Sequence, residues 1–513
     1  LAYRSLGDEG QDYATYIVKK LKADAVFNAD KIDNKDQMQL RWANQDLSVN
    51  DYLKYALKKN WIDISKIPGL SKYLDTDQAY QGLIEYILGN LQADQDFAAL
   101  SRRYTILNDE VSPNALCAIL YDQGVLPRDD STRNALASGS LSAYGFIQSK
   151  LRSLEIRPGQ LGLNLSTASA VVTDPRTGEI LACVSYPGYD SNQLANATDS
   201  SYYKKLTQSS SRPLFNYATQ QKTAPGSTFK PITAIAALEE NVLGLNDTVN
   251  CTGIYDAITP PLRCWIYPGR HGVQNIVAGI RNSCNFFFAD LGHRLATNPQ
   301  GEYDPALGIA RLNKYATMFG LDQKSGVEII ENDPMISDQS PERSAIGQGT
   351  NSFANVQLSR YVTALANRGT VFDLSVLDRV TDWQGEAIRS YDPNVIRTME
   401  VKPENWDAVQ QGMRGVVESG SKSRIFKGFE VNIAGKTGTA QESKTRANHA
   451  FFISFGPYES PKLVVTVNIP YGYTSANAAS VAKDVYRLCF GYTNVDEILN
   501  AGAQRVSDAN IED

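Results

Sequence analysis

Residues 227–232 read Ser227-Thr228-Phe229-Lys230-Pro231-Ile232, and they open an apolar run that continues to Leu238. The run has the composition of a buried helix, and Pro231 suits a first helical turn, where no backbone N–H is needed. Ser227 then lies at the helix N-terminus and Lys230, three residues later, on the same face. The stretch therefore predicts a helix that presents a serine hydroxyl beside a lysine amine.

This pair has the chemistry of a nucleophile and its base. A serine hydroxyl is a weak nucleophile near neutral pH and needs a neighbouring base. Desolvation and nearby positive charge lower the pKa of a lysine amine, which makes its neutral form available. The helix N-terminus also leaves backbone N–H groups free to face a developing oxyanion. Taken alone, however, such a pair is more often a capping serine followed by a surface lysine.

Two further short motifs stand behind this pair in the chain, Ser283-Cys284-Asn285 and Lys436-Thr437-Gly438-Thr439. Alternate residues of the first motif can direct a hydroxyl and an amide into one cleft near Lys230. The alternation in residues 429–435 predicts a strand that runs into the second motif, whose lysine and hydroxyls suit a substrate carboxylate. Each motif alone means little, but all three in this order favour a catalytic interpretation.

The three motifs form the active-site set of penicillin-binding proteins and class A β-lactamases. Residues 168–187, Pro225-Gly226, residues 344–349 and Gly435 extend the likeness. The chain resembles a class B penicillin-binding protein, a monofunctional D,D-transpeptidase, over roughly residues 160–492. This family's transpeptidase fold is an α+β arrangement with a five-stranded antiparallel sheet and helices on both faces.

The resemblance implies roles for the residues nearest the reacting bond. Ser227 would be the nucleophile and Lys230 its base. Ser283 and Asn285 would relay protons and hold the peptide amide. The backbone N–H groups of Ser227 and Thr439 would form the oxyanion hole.

The resemblance also implies the substrate and its surroundings. Lys436, among the catalytic residues, would bind the terminal carboxylate with Thr437 and Thr439, while Gly438 lets the ligand approach. The substrates would be peptidoglycan stem peptides on lipid-linked glycan strands, and β-lactams would acylate the enzyme without any catalytic cofactor. A membrane glycosyltransferase within a cell-wall synthesis complex would be the partner. The catalytic domain would face the extracytoplasmic side of the bacterial cell membrane, on an N-terminal anchor that this chain lacks.

Other functions with the same motifs stay open. A serine β-lactamase needs a base for its deacylating water, and no convincing Glu-x-x-Leu-Asn element lies between Asn285 and Lys436. A D,D-carboxypeptidase would share the first step, and the sequence separates it poorly from a transpeptidase. A β-lactam sensor could keep acylation and lose turnover. The complete motif set argues against an inactive morphogenesis scaffold.

Four soft metal ligands lie close together in the sequence. Three thiolates and one imidazole form the tetrahedral set of a structural zinc site. If the serine and the amide of the Ser-x-Asn motif face the cleft, the cysteine between them points behind it, where zinc could fix the motif's orientation. A disulfide between the first two cysteines, or three reduced buried thiols, are the alternatives. The four residues are Cys251, Cys264, His271 and Cys284.

Length and composition indicate the class of protein that carries these sites. The chain has 513 residues, a net charge of −6, 42% hydrophobic and 21% charged residues, which describes a globular protein larger than one ordinary domain. The negative charge argues against a nucleic-acid partner. No stretch approaches the roughly 18 to 20 apolar residues that span a bilayer, and the start at Leu1 without a signal peptide indicates a fragment.

The patterning predicts three regions: a mainly helical region at 1–155, a transpeptidase domain at 156–495 and a C-terminal tail at 496–513. In the second region, strands at both ends with helices between them predict one antiparallel sheet covered on both faces. A closing helix is expected at 475–490. The five predicted strands are 168–173, 179–184, 430–434, 450–455 and 462–469.

Overall fold

The computed structural model describes residues 8–33, 35–43, 47–70, 74–153, 155–156, 167–196, 198–420, 422–440 and 447–500. The chain divides into two compact units, Leu1–Leu161 and Gly162–Asp513. The domain limits at 155/156 and 495/496 stay predictions, and most of the predicted tail, residues 501–513, lies outside the described residues. Across the described ranges, no helix has both the length and the apolar composition to cross a bilayer.

The first unit is helical, as predicted. Side chains of Ser48, Asp75, Asp94, Ser112 and Ser142 accept backbone N–H groups at helix starts, which stabilises each first turn. The helices are α1 (Asp8–Ala23), α2 (Gln37–Ala43), α3 (Val49–Lys58), α4 (Thr76–Gln92), α5 (Gln95–Leu107), α6 (Pro113–Asp122), α7 (Asp130–Ala137) and α8 (Ala143–Arg152).

Two apolar clusters hold this unit together. The larger one joins α1, α3 and α4, and there Tyr52 stacks on Trp42 with ring centroids 4.4 Å apart. The smaller one joins α6, α7 and α8 around Leu136 and Phe146, both about 1% exposed. Six of the eight helices thus bury side chains in one of these clusters, which is what helices of this length need for stability.

The second unit carries the β structure and the remaining helices. Its strands are β1 (Ala168–Thr173), β2 (Ile180–Tyr186), β3 (Val249–Cys251), β4 (Ile254–Tyr255), β5 (Leu262–Arg263), β6 (Gly272–Gln274), β7 (Thr370–Asp373), β8 (Arg379–Thr381), β9 (Ala387–Ser390), β10 (Asn394–Thr398), β11 (Ala434–Ala440), β12 (His449–Gly456) and β13 (Leu463–Ile469). Its helices are α9 (Ser200–Gln208), α10 (Lys230–Glu239), α11 (Ile276–Arg281), α12 (Asn285–Leu295), α13 (Pro305–Met318), α14 (Pro341–Ala345), α15 (Asn355–Ala366), α16 (Pro403–Glu418), α17 (Ser475–Cys489) and α18 (Val495–Asn500).

Five of these strands form one antiparallel sheet, as predicted, and their order in the sheet is β11-β12-β13-β1-β2. Helices cover both faces. Tyr486 of α17 packs with Phe452 and Val465 on one side. On the other side, the amide of Asn355, the first residue of α15, donates to the carbonyls of Ser169 and Thr466. The α+β architecture is therefore confirmed.

One predicted strand is misplaced. The sequence predicts a strand near 430–434 that runs into the Lys-Thr-Gly motif, but β11 begins only at Ala434 and contains the whole motif. Gly435 and Gly438 weaken the strand pattern within the motif, since glycine is depleted in strands. The strand forms because every residue from Ala434 to Ala440 pairs with β12. Gly435 is required by packing, since a Cβ there would lie 2.5 Å from the ring of Phe452.

Candidate active site

Ser227 lies in a short 3₁₀ turn, Gly226–Phe229, that leads directly into α10. Pro231 occupies the first turn of α10, as predicted, and Ile232 and Ile235 are fully buried on it. The turn is held from outside the helix, because the Gly226 N–H donates to the carbonyl of Gly347 at 3.0 Å. Ser227 itself is half-buried, at the rigid N-terminal end of a core helix.

Lys230 is completely buried and contacts the Ser-x-Asn motif. Its Nζ donates to the carbonyl of Ser283 at 2.7 Å and to Oδ1 of Asn285 at 2.7 Å. The Ser283 hydroxyl lies 3.3 Å from the same nitrogen, and the ring of Phe288 lies 5.5 Å from it. The first two motifs are thus joined through the lysine.

A left-handed turn orients the Ser-x-Asn motif. Ser283, with φ of 50°, separates α11 from α12, and this conformation costs a non-glycine residue roughly 1–2 kcal/mol. Cys284 caps α12, where its sulfur accepts the N–H of Phe287 at 3.4 Å. Ser283 and Asn285 therefore reach Lys230, while the Cys284 sulfur lies 3.9 Å from that of Cys264. The alternation expected for this motif is the one the structure shows.

Lys436 completes the polar network from the strand side. It is fully buried on β11, and its Nζ donates to the Ser283 hydroxyl at 2.8 Å and to the carbonyl of Thr437 at 3.0 Å. A hydroxyl oxygen has two lone pairs, so Ser283 can accept from both lysines and still donate its own proton. One hydroxyl thus bridges the two lysine amines.

The strand also passes against the turn of Ser227. A Cβ on Gly438 would lie 2.7 Å from the methyl carbon of Thr228 and 2.9 Å from the carbonyl of Pro225. A Cβ on Gly226 would lie 2.8 Å from the carbonyl of Thr439. Glycine at both positions permits this close approach, which places the backbone of residues 438–439 beside the serine turn. All three motifs therefore meet in one site.

The four soft ligands also come together. One ligand atom from each lies within 4.8 Å of the others, and the Nδ1 of His271 lies 3.8 Å from the sulfur of Cys251 and 3.5 Å from that of Cys264. Tetrahedral zinc, with bonds of about 2.3 Å to sulfur and 2.0–2.1 Å to nitrogen, has S···S edges of about 3.8 Å and S···N edges of about 3.6 Å. The observed S···N distances and the 3.9 Å between Cys264 and Cys284 fit those edges.

The donor set has the charge a divalent ion requires. All three cysteines are free thiols rather than a disulfide. Interaction with the Cys284 thiol lowers the pKa of Cys251 to about 6 and the pKa of Cys264 to about 3, while it raises the pKa of Cys284. Burial lowers the pKa of His271, but the two neighbouring sulfurs outweigh it and the net shift is upward.

Two residues that support the serine turn were not predicted. Gly347 has φ of 80°, and a Cβ there would lie 1.8 Å from the carbonyl oxygen of Gly226. The hydroxyl of Tyr361 on α15 donates to the carbonyl of Thr228 at 3.2 Å. The glycine pair Gly347 and Gly349 was a usable signal of close backbone approach, whereas Tyr361 lies in an ordinary helical pattern that gave none.

The sequence pattern of the family described as "Penicillin binding protein transpeptidase domain" matches residues 168–487. Peptidoglycan D,D-transpeptidase MrdA of Haemophilus influenzae is 30% identical over 356 residues, which cover 62% of this chain and 52% of the relative. The chain spans about half the length of the curated relatives it matches.

Comparison with solved structures shows similarity to the same kind of protein. A structure titled "Structural coordination of polymerization and crosslinking by a peptidoglycan synthase complex" matches with a TM-score of 0.57 and 26% identity, over 64% of this chain and 56% of that chain. The imipenem acyl-enzyme complex of penicillin-binding protein A from Mycobacterium tuberculosis matches with a TM-score of 0.55 and 25% identity, over 63% and 73%.

Proposed function

Because the chain belongs to the penicillin-binding protein transpeptidase family, we propose that it is a serine acyltransferase that cross-links peptidoglycan stem peptides by D,D-transpeptidation. The relative from Haemophilus influenzae carries the name of that activity. The observation that carries the proposal is the Ser283 hydroxyl, which bridges the two buried lysines of the other motifs, Lys230 and Lys436. Such a network can move a proton between a nucleophile and a leaving group.

In the first step, the Ser227 oxygen attacks the carbonyl between the last two D-alanines of a stem peptide. Its proton passes to the neutral amine of Lys230, and the backbone N–H groups of Ser227 and Thr439 hold the oxyanion. When the C–N bond breaks, the proton reaches the departing D-alanine amine through Ser283. The peptide remains as an ester on Ser227.

In the second step, the amine of a neighbouring stem peptide attacks this ester. The amine gives up a proton along the same path, the C–O bond breaks, and the Ser227 hydroxyl is restored. Asn285 holds the peptide amide through both steps. The product is a cross-link with one new amide bond.

The strand β11, which carries the Lys-Thr-Gly motif, supplies the groups that recognise the substrate. Lys436 brings positive charge to the site, and the hydroxyls of Thr437 and Thr439 bind the terminal carboxylate by charge-assisted hydrogen bonds. Gly438 leaves the strand backbone open to the ligand. A β-lactam presents a carboxylate and a strained amide in similar positions, so it acylates Ser227.

Intact mass spectrometry after mixing with benzylpenicillin tests this proposal. A stable single adduct in the wild type that is lost in Ser227→Ala supports acyl transfer through this serine. An adduct that persists in Ser227→Ala overturns it. Rapid return to the unmodified mass with consumed antibiotic means a β-lactamase instead. Cross-linking of stem peptides then distinguishes a transpeptidase from a carboxypeptidase or a sensor.

We also propose that Cys251, Cys264, His271 and Cys284 hold a structural zinc ion. Their distances and chemistry support this assignment. Zinc would act only by fixing the turn at Ser283 from behind, since Cys284 is the residue between the two that contact Lys230.

Partners and location follow from the substrate. Stem peptides are carried on lipid-linked glycan strands, so a membrane glycosyltransferase in a cell-wall synthesis complex is the partner we propose. A solved structure similar to this chain has a title that joins polymerisation and cross-linking in one complex. The catalytic unit would act on the extracytoplasmic side of the bacterial cell membrane. Nothing in this proposal requires a nucleic acid.

A further inference from the structure

A cavity with no assigned role lies between the C-terminal half of α16 and the segment 423–433. Its volume of about 440 Å³ falls in the range of roughly 300–1,000 Å³ that holds small molecules. None of the residues of the three catalytic motifs lines it. The cavity therefore differs from the acyl-transfer site in position as well as in chemistry.

One side of the cavity is apolar. Val417, Phe426, Val431 and Ile433 are all less than 9% exposed, and the rings of Phe426 and Phe429 lie 5.5 Å apart. A ligand with an apolar body would cover these surfaces.

The rim of the cavity is cationic. Arg414, Arg424 and Lys427 line it, against one carboxylate, Glu418, that lies 3.8 Å from Arg414. Arg424 and Lys427 are exposed, and across the described residues neither has a hydrogen bond or an ion pair. The one negative charge is already matched, so two positive charges remain for a ligand.

We propose that this cavity binds a small anionic amphiphile. Its carboxylate or phosphate would be held by Arg424 and Lys427, and its apolar body would lie against Phe426 and Val431. The charge complementarity favours an anion, and the volume of about 440 Å³ suits a small molecule rather than a protein surface. This proposal does not depend on the acyl-transfer activity.

The helix α16, which lines one side of the cavity, also contacts segments that lead into two of the catalytic motifs. The Arg414 guanidinium donates to the carbonyl of Ile433 at 3.1 Å, and Ile433 is the residue before β11. Gly412 and Gly415, on the same helix, lie against side chains of α11, since Cβ atoms there would come within 2.7 Å of Ile280 and 3.1 Å of Arg281. A bound ligand would therefore order the segment that leads into the Lys-Thr-Gly strand.

Fluorescence titration with 2-naphthoate tests the binding. This probe has an anionic group on an aromatic body, and 2-naphthamide and 2-naphthylmethylammonium share that body with neutral and positive groups. We expect saturable binding of 2-naphthoate and much weaker binding of the other two. Arg424→Gln with Lys427→Gln should weaken 2-naphthoate about tenfold, because charge-assisted contacts are lost. The matched control, Lys204→Gln with Lys205→Gln on exposed α9, should leave its affinity within about twofold.

A second variant and a second measurement separate this site from the active site. Ser423→Phe should block 2-naphthoate by filling the cavity while it keeps every charge. Hydrogen exchange of residues 423–433 should slow on binding in the wild type and not in the double-glutamine variant. Equal affinity of all three probes, or 2-naphthoate binding that survives both the charge and the filling variants, would overturn the proposal.

Discussion

The hydroxyl of Ser283 accepts a hydrogen bond from Nζ of Lys436 at 2.8 Å, across 153 residues of sequence. The same hydroxyl lies 3.3 Å from Nζ of Lys230. All three residues are buried, so their interactions are strengthened by the low local dielectric. Ser283 therefore joins α10, which begins at Lys230, to β11, which carries the Lys-Thr-Gly motif.

Replacing Ser283 with alanine should cut this link and leave the fold intact. We expect acylation by benzylpenicillin to slow by roughly 10²–10⁴-fold, the usual contribution of a proton-transfer group. Stopped-flow or mass-resolved acylation rates would measure the loss. Normal acylation in Ser283→Ala would contradict the proton path described above.

Ser454→Ala is the matched control for that variant. Ser454 is also fully buried, and its hydroxyl donates to the carbonyl of Val465 at 3.0 Å and accepts from Tyr486. Its loss should lower the free energy of unfolding by about 1 kcal/mol. Acylation should stay unchanged, because Ser454 lies outside the three motifs.

The sequence alone predicted the features that depend on residues close together in the chain. The apolar run that ends at Leu238 correctly predicted a buried helix with Pro231 in its first turn. The alternation around Cys284 predicted that Ser283 and Asn285 reach Lys230 while Cys284 points elsewhere. The contact between Ser283 and Lys436 was not predicted, because nothing in either motif encodes a pairing across such a separation.

The errors and omissions have a common physical origin. β11 was placed too early because Gly435 and Gly438 weaken strand propensity, and only pairing with β12 overrides it. Gly347 and Tyr361 were missed as supports of the serine turn because their contacts join distant parts of the chain. Tertiary contacts decided each of these features, and the glycine pair Gly347 and Gly349 was the sequence signal that could have indicated one of them.

Gly347→Ala should impair the active site by displacing the backbone of the turn that carries Ser227. The new Cβ would lie 1.8 Å from the carbonyl oxygen of Gly226, so the turn that carries Ser227 has to move. We expect acylation to fall about 100-fold or more, because small displacements of reacting groups are costly. We also expect a stability loss of roughly 2–4 kcal/mol from overpacking and strain, measured by chemical denaturation.

Gly301→Ala controls for backbone strain alone. Gly301 has φ of 85°, and within the described structure a Cβ there meets nothing within 4 Å. It should lose only about 1–2 kcal/mol and keep its acylation rate. If both alanine variants acylated alike, the contact between Gly347 and Gly226 would have no role in positioning Ser227.

Lys230→Met should separate binding from chemistry. The methionine fills similar space but leaves the carbonyl of Ser283 and Oδ1 of Asn285 without their donor. We expect acylation to fall by about 10²–10⁴-fold, with weaker effects on non-covalent affinity for benzylpenicillin, because the base acts only in the chemical step. Pre-steady-state kinetics resolve the two quantities. Lys204→Met on exposed α9 is the matched control, and it should change neither.

Removal of the metal should affect the active site indirectly, through the turn at Ser283. Purified protein analysed by inductively coupled plasma mass spectrometry should contain about one zinc per chain, since a closed tetrahedral set binds one ion. Chelation should lower the melting temperature and slow acylation, because Cys284 would no longer anchor the turn between Ser283 and Asn285. Zinc retention should also weaken as pH falls, since protons compete with the metal for the thiolates.

Two cysteine variants make the metal prediction specific. Cys284→Ser should lose zinc and lower the melting temperature, and added zinc should not restore either property fully, because a hydroxyl is a poor ligand in this set. Cys183→Ser changes a cysteine on β2, outside the cluster, and should keep its zinc. A metal-free wild type prepared without chelators would rule out the zinc site. If Cys284→Ser kept its zinc instead, Cys284 would not be a ligand, and the support that it gives to Ser283 would have to come from helix capping alone.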